Sequence, residues 1–307
     1  MIGTRRSKLA RWQAETIATA IRSMANAPDV ELVFISTEGD RVTDAPLHTI
    51  AGKAFFTKEI ESALLDGKID IAVHSLKDLA TEMPTGLSLG AVLEREDPRD
   101  ALVALEGQRF ADLPHGARVG TSSLRRRAQL LKLRPDLKIA DLRGNVPTRI
   151  ARLEAGDYHA IVLAAAGLLR LGLSDHISEY FSTDRMLPAV SQGAVAVQLR
   201  ADDAVAARWI HPLDHAPTRV ATTAERAFLR ALEGGCQIPV AALGTVKGES
   251  LTLRGTVCSL DGRRAVSGSA SGSADGAEAV GVNLASQLAR QGATEILDAI
   301  RTVGQHS

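Results

Sequence analysis

The stretch from Arg118 to Arg149, RVGTSSLRRRAQLLKLRPDLKIADLRGNVPTR, constrains this chain more than any other. It holds seven arginines and two lysines, Lys132 and Lys138, against two acids, Asp136 and Asp141. The chain as a whole is neutral, with 36 basic and 36 acidic residues. A local excess of that size is solvated, paired with acids elsewhere, or turned toward an anion. Placement favours the anion. RVG reads as a strand end, Thr121 or Ser122 as an N-cap, and SLRRRAQLLKL as the helix that follows. Arg125 and Arg126 then fall in the first helical turn, which already carries roughly half a positive charge and disfavours cations. KIADL repeats the design: Gly144-Asn145 turns the chain, Pro147 suits the first helical position, and Arg149 sits in the first turn. Two such junctions, each with open N–H groups and arginines, make a site for carboxylates or phosphates. A solvated basic face is the competing reading.

Strands and helices alternate through the first 200 residues, which predicts an α/β architecture with mostly parallel sheets. MIGTR is a strand followed by a helix from about Ser7 to Met24, and ELVFIS (31–36) is the second strand. Residues 37–53 lack periodicity and read as a long mobile loop of the kind that often forms a lid. A helix at about 54–66 precedes the strand IDIAVHS (69–75), and LSLGAVL (87–93) is another. REDPRD (95–100) is a charged connector and the first candidate boundary. DALVAL, RVG, KIADL and AIVLAAA supply a second set of strands. GAVAVQLR (193–200) is a late strand that could cross back into the first sheet. HPLDHAPT (211–218) marks the second boundary. Beyond it a helix at 219–233, strands near 238–246, 251–259 and 264–272, and a long helix over 275–302 make an α+β unit.

At 307 residues the chain is long for one core. No apolar run reaches the roughly 18 residues of a membrane span, and the N-terminus lacks a signal-peptide core, so a cytoplasmic protein without membrane contact is expected. Two cysteines, Cys236 and Cys258, make no disulfide framework and suit a reducing compartment. No CxxC pair occurs and no metal is expected. Aromatics at 3% argue against base stacking on single-stranded nucleic acid, and no nucleic-acid partner is expected.

Two more junctions extend the pattern. Gly3-Thr4-Arg5-Arg6-Ser7-Lys8 closes the first strand and opens a helix, and His74-Ser75-Leu76-Lys77-Asp78 does the same after IDIAV. Open α/β sheets bind ligands at such carboxyl ends of strands. Asp78 is an acid among cations: either it complements a helix N-terminus, or it shuttles a proton and stabilises a cation. His74 reads as a hydrogen-bonding core residue before a base. Cys236 lies on the turn EGGCQIP, where Gly234-Gly235 stops a helix and Pro239 forbids another. The physics leaves packed thiol and reactive thiol equally open. Cys258, on an alternating strand, reads as packed.

The segments IGTRRSKLARWQ, AGKAFFTKEIESALL, IAVHSLKDL, VGTSSLRRRAQL, LRGNVPTRIARL, AAAGLLRLGL, AVSQGAVAVQLR and EGGCQIPVAA together resemble the porphobilinogen deaminase (hydroxymethylbilane synthase) family. They span residues 2–242; the last 65 residues carry little signature. Leu79-Ala80 stands where the family usually shows Val-Pro, and Arg127 makes a third arginine where a non-basic residue is usual. The resemblance implies two doubly wound, periplasmic-binding-protein-like domains around a cleft, 1–95 with 194–212 and 99–190, plus a C-terminal α+β domain, 216–307. It implies a monomeric transferase of tetrapyrrole biosynthesis. Such an enzyme joins four porphobilinogens head to tail, with loss of ammonia, into hydroxymethylbilane on a dipyrromethane primer. Cys236 would hold that cofactor through a thioether, with Arg125, Arg126, Lys77, Ser7, Asp40, Thr121 and Ser123 around it. Arg5, Arg143, Arg149, Arg170, Gln192, Phe56 and Lys53 would meet the substrate, and Asp78 would be catalytic. Three rivals stand beside this reading: a two-lobed anion binder without chemistry, an enzyme using the Cys236 thiol as nucleophile, and a basic nucleic-acid module, which zero net charge and few aromatics disfavour.

Overall fold

The computed structural model describes residues 1–41, 56–232 and 238–304; Lys53 and Cys236, expected at the site, and most of the expected lid lie outside the described residues. The chain opens with β1 (Ile2–Thr4), α1 (Lys8–Arg22) and β2 (Leu32–Phe34). Ser7 caps α1, its Oγ accepting the Ala10 N–H at 3.3 Å, and Ala10, Ala14, Ile17, Ala18 and Ile21 form the buried stripe. A single turn, α2 (Glu38–Arg41), stands where the sequence suggested only loop. Then come α3 (Lys58–Leu65), β3 (Ile71–Ser75) and β4 (Leu87–Val92).

The chain crosses to β5 (Asp100–Ala104) and builds β6 (Arg118–Gly120), α4 (Leu124–Leu133), β7 (Lys138–Ala140) and α5 (Val146–Glu154). β8 (Ala160–Ala164), α6 (Ala165–Arg170) and β9 (Glu179–Tyr180) follow, and β10 (Val195–Arg200) returns to the first sheet, as the late strand suggested. The strand orders are β2-β1-β3-β10-β4 and β7-β6-β8-β5-β9. Both sheets therefore share one topology, with a strand arriving from the other half inserted fourth. The expectation of mostly parallel sheets needs correction here. β1, β2 and β3 are parallel, as are β6, β7 and β8, but β10 and β5 run against both neighbours. Parallel pairs need crossover helices, which cover both faces and explain the uninterrupted apolar runs of β3 and β8.

The two crossing segments lie side by side. Leu93 N–H donates to Val195 O at 3.0 Å and Glu96 N–H to Gly193 O at 3.2 Å. Gly193 sits at φ +90°, and a Cβ there would lie 2.3 Å from Glu96 O, so only glycine fits.

After α7 (Ala204–Ile210), α8 (Ala216–Ala231) begins three residues earlier than the sequence suggested, because Pro217 is accommodated in its first turn. The meander β11 (Val240–Lys247), β12 (Ser250–Cys258) and β13 (Ala265–Ser273) is covered by α8 and α9 (Ala277–Leu288), which enclose Phe228, Leu253 and Leu284. The single long C-terminal helix expected over 275–302 is instead broken. Residues Ala289–Ala293 bulge, Gly292 adopts φ +101°, and α10 (Thr294–Gly304) follows.

The β12–β13 turn rests on α4. Gly262, at φ +73°, would place a Cβ 2.3 Å from Lys132 N and 2.7 Å from the Leu131 carbonyl carbon. Gly248, at φ +58°, has nothing within 4 Å. Gly248→Ala should therefore cost only the left-handed backbone, about 1–2 kcal/mol. Gly262→Ala should cost about 1–3 kcal/mol more, because α4 must shift. Denaturant midpoints of the two variants check this; equal losses would show that the turn does not bear on the helix.

Candidate anion-binding active site

The strand-to-helix junctions bring the expected cations to the carboxyl ends of parallel strands. On the β6–α4 junction three hydroxyls compete for the cap. Ser123 is the N-cap, its Oγ accepting the Arg126 N–H at 3.4 Å, rather than Thr121 or Ser122. Thr121 Oγ1 accepts the Ser123 N–H at 3.2 Å, which tightens the turn. Ser122 Oγ donates to Leu142 O at 3.2 Å and accepts Leu142 N–H at 3.0 Å, which ties this junction to the next. In α5 Asn145 is the cap, accepting Thr148 N–H at 3.0 Å, so Pro147 falls at the second helical position rather than the first. The segment after β3 does not open a helix as expected. It makes one 3₁₀ turn, Leu76–Asp78, and Leu79 at φ −77°, ψ 138° is already extended.

Arg125 and Arg126 converge on a residue the sequence reading passed over. Asp100 opens β5 with no solvent exposure, and Arg125 donates to it at 2.6 and 3.3 Å. Arg126 Nε–H donates to the same carboxylate at 2.9 Å, with its Nη2 at 2.8 Å. Each arginine also donates to a carbonyl at 2.9 Å, Arg125 to Leu187 and Arg126 to Val162. Burial pushes the Asp100 carboxyl up, yet the two guanidiniums outweigh it and hold the group well below the usual carboxylate range. Gln192, expected at the substrate, is fully buried and gives its amide to Asp100 at 3.0 Å and Pro98 O at 2.8 Å. The overlooked signal was an acid at the head of ALVA, a strand buried throughout, where a carboxylate must be paired.

Around this pair the cations outnumber the acids. Lys77 is lowered to about 8, first by burial and then by Arg126 and Arg125, with Asp78 and Asp100 opposing. Arg149 is lowered to about 10 by burial, then by Arg126 and Arg143, with Asp78 opposing. Its Nε–H donates to Gly144 O at 2.7 Å. Arg143 is lowered by burial, against the pull of Asp141. Five cations thus share one neighbourhood with three acids, and Asp78 acts on both Lys77 and Arg149. The Arg125 Nε–H is buried without an acceptor. Groups that lower one another's proton affinity are relieved by an incoming anion, and a multiply charged carboxylate is the species this donor set fits.

The remaining expected residues form two satellites. Arg5 donates to Asp40 at 2.5, 3.1 and 3.3 Å and stacks 4.4 Å over the Phe56 ring. Burial raises Asp40, but Arg5 and Thr37 outweigh it and lower the carboxyl. Arg170 donates to Gly193 O at 2.6 Å, beside the crossing segments, and lies 5.4 Å from the Trp12 ring. Ser7 is engaged as the α1 cap. His74 is buried and lowered to about 4 by burial and then Arg5, with Gln198 opposing, so it is neutral at pH 7. That favours the core reading over the base. His211 and His215 stand four residues apart, but no group of three or more potential metal ligands gathers among the described residues.

Fold and site define a two-lobed α/β protein with a third α+β unit and a cluster of cations at the strand ends, the donor set of an anion-binding protein. Residues 1–208 match the family model "Porphobilinogen deaminase, dipyromethane cofactor binding domain", and residues 220–290 match "Porphobilinogen deaminase, C-terminal domain". A porphobilinogen deaminase of Geotalea uraniireducens is 50% identical over 296 residues, 96% of this chain and 93% of the relative. One of Moorella thermoacetica is 51% identical over 300 residues, 98% and 96% of the two chains. Among solved structures, an ABC-transporter periplasmic substrate-binding protein from Coxiella burnetii aligns at a TM-score of 0.43 and 16% identity, over 73% of this chain and 95% of its own. This chain belongs to the porphobilinogen deaminase family, and its first two sheets form that family's dipyrromethane cofactor-binding domain.

Lys77 gives the site a pH signature. In the folded chain it loses its proton near pH 8, and in the unfolded chain near ~10.4, so between these values the unfolded state holds the extra proton and stability rises with pH. A bound carboxylate reverses that preference by favouring the ammonium. The affinity for a tricarboxylate such as citrate, measured calorimetrically, should fall roughly tenfold between pH 7 and 9.5, and Lys77→Met should flatten the fall. An affinity independent of pH in the unsubstituted protein would remove Lys77 from the anion site.

Proposed function

We infer that this chain polymerises four porphobilinogens head to tail, with loss of ammonia, into hydroxymethylbilane. The observation that carries the reading is one carboxylate, Asp78, set in a cluster of mutually repelling cations at the carboxyl ends of parallel strands. Each pyrrole unit bears two carboxylates, so a growing chain gains negative charge at every addition, and a cleft with surplus cations suits it. Cys236 would hold a dipyrromethane through a thioether, and that group would supply the primer for chain growth. Lys77, Arg125 and Arg126 would hold its carboxylates, and Arg143 and Arg149 those of incoming substrate. Arg5, partnered by Asp40, and Arg170, beside the crossing segments, flank them.

The reaction breaks the bond between an aminomethyl carbon and nitrogen, leaves a cation on the pyrrole, and forms a carbon–carbon bond with loss of a ring proton. The arginines stay charged and repel that cation. Asp78 meets all three needs: it passes a proton to the departing amine, offsets the ring-nitrogen charge, and takes the ring proton back. We place the work in three domains, 1–95 with 194–212, 99–190 and 216–307, in a cytoplasmic monomer with no nucleic-acid partner. No described helix is long and apolar enough to cross a membrane, and neutral charge with few aromatics goes with a small-molecule ligand.

Asp78→Asn keeps shape and hydrogen bonding without charge, and Asp78→Glu moves the charge by one methylene. Asn should load the cofactor, seen as a mass above that of the sequence by two pyrrole units, yet lose at least about 10²-fold in turnover. Glu should keep a small, measurable rate. Cys236→Ser should show the bare sequence mass and no turnover, while Cys258→Ser should keep both. Near-normal turnover by Asp78→Asn would reduce Asp78 to a turn-end acid. An active wild type of unmodified mass would remove the covalent primer.

A further inference from the structure

The turn that carries Asp78 is held from two sides. Leu76 and Leu79 are buried in an apolar cluster with Val92, Ala194 and Ala196. On the other side, Arg226 of α8 reaches in from the third unit. Its Nη1–H donates to Leu79 O at 3.2 Å and its Nη2–H to Ala80 O at 2.5 Å. Arg226 is 9% exposed, and its donation to these two main-chain carbonyls ties helix α8 to the turn. These carbonyls follow Asp78 directly, the 3₁₀ turn closes with a single 3.2 Å bond from Leu79 N–H to Leu76 O, and Ala80 has no ring to restrain its φ.

We propose that Arg226 is a positioning residue for the reaction: by clamping the carbonyls of Leu79 and Ala80 it sets the place of the Asp78 carboxylate in the cleft. The proposal rests on Asp78 being the reacting carboxylate. Its neighbour Glu225, fully buried, accepts Arg95 at 2.5 and 3.1 Å, Ser191 N–H at 2.6 Å and Gly244 N–H at 2.8 Å. Two successive charged residues of α8 thus hold both crossing segments and the Asp78 turn. The same helix ends at Ala231, shortly before Cys236. Through α8, the unit that carries the cofactor cysteine also sets the reacting group.

The test is the full-length holoprotein carrying Arg226→Gln, with Arg226→Lys as the milder variant, each alone and with Ala80→Pro. Leu79 already has the extended backbone that a residue before proline adopts, so proline at 80 restrains the turn independently of the guanidinium. Arg226→Gln should keep the cofactor mass and lose kcat by on the order of 100-fold, with KM changed far less, as for a misplaced reacting group. Arg226→Lys should fall between, and Ala80→Pro should restore at least about tenfold of the Gln loss. If Arg226→Gln is too unstable to purify, the same split and rescue are read from Arg226→Lys. A kcat within twofold of wild type, or a loss that follows thermal stability and is not relieved by Ala80→Pro, overturns the proposal. Asp78→Asn, run alongside, separates the two failures. If it is inactive while Arg226→Gln is unimpaired, only the clamp is wrong; if it is active, the premise is.

Discussion

The bidentate grip of Arg125 and Arg126 on Asp100 is the interaction on which the cleft depends. A carboxylate with no solvent exposure is tolerated only when its charge and lone pairs are met, and here two guanidiniums and the Gln192 amide meet them. The pairing does more than neutralise. It leaves one positive charge in surplus and locks both side chains against α4, β5 and the Leu187 and Val162 carbonyls. Lys77 and Arg149 lie beside that surplus and are destabilised by it, and Arg143 adds to the repulsion on Arg149. The fold thus holds cations together that would separate in water, and a ligand rich in carboxylates relieves the strain.

Much of this was legible in the chain. A strand end followed by hydroxyl or glycine and then a basic residue recurs at Arg5, Lys77, Arg125 and Arg149, and a parallel sheet aligns such ends on one edge. The return of β10 to the first sheet was legible too, since GAVAVQLR is a strand too apolar for an exposed edge. The antiparallel direction of β5 and β10 was not, because an apolar run carries no sign of direction. Asp100 was lost in REDPRD, where an acid looks like one more solvated charge; only the burial of β5 gives it meaning. Thr121, Ser122 and Ser123 are equivalent as caps by composition, and the contacts of the first two decide for the third. The helix break at Gly292 follows from one left-handed glycine inside an otherwise helical pattern, which periodicity averages away. The role of Cys236 rests on its GGCQ motif, beyond the described residues.

The third unit is not an appendage for the cofactor. The β12–β13 turn abuts the backbone of α4, which carries Arg125 and Arg126, and Glu225 joins Arg95 and Ser191 of the two crossing segments. Any opening of the first two sheets about those segments must work against a fully buried, four-fold hydrogen-bonded carboxylate, an interaction costly to break. The crossing segments are also tied to the second sheet: Arg170 reaches Gly193, and Arg95 reaches Gln192, whose amide holds Asp100.

The central claim is that Asp100 organises the two arginines that make the cleft an anion site. Replacing it with asparagine keeps the shape and removes the charge, so unfolding free energy and intact mass of Asp100→Asn test the claim directly. The account predicts a loss of about 3–5 kcal/mol, since two buried guanidiniums lose their counter-charge, together with protein of bare sequence mass. A variant within about 0.5 kcal/mol of wild type that still carries the two additional pyrrole units would contradict it.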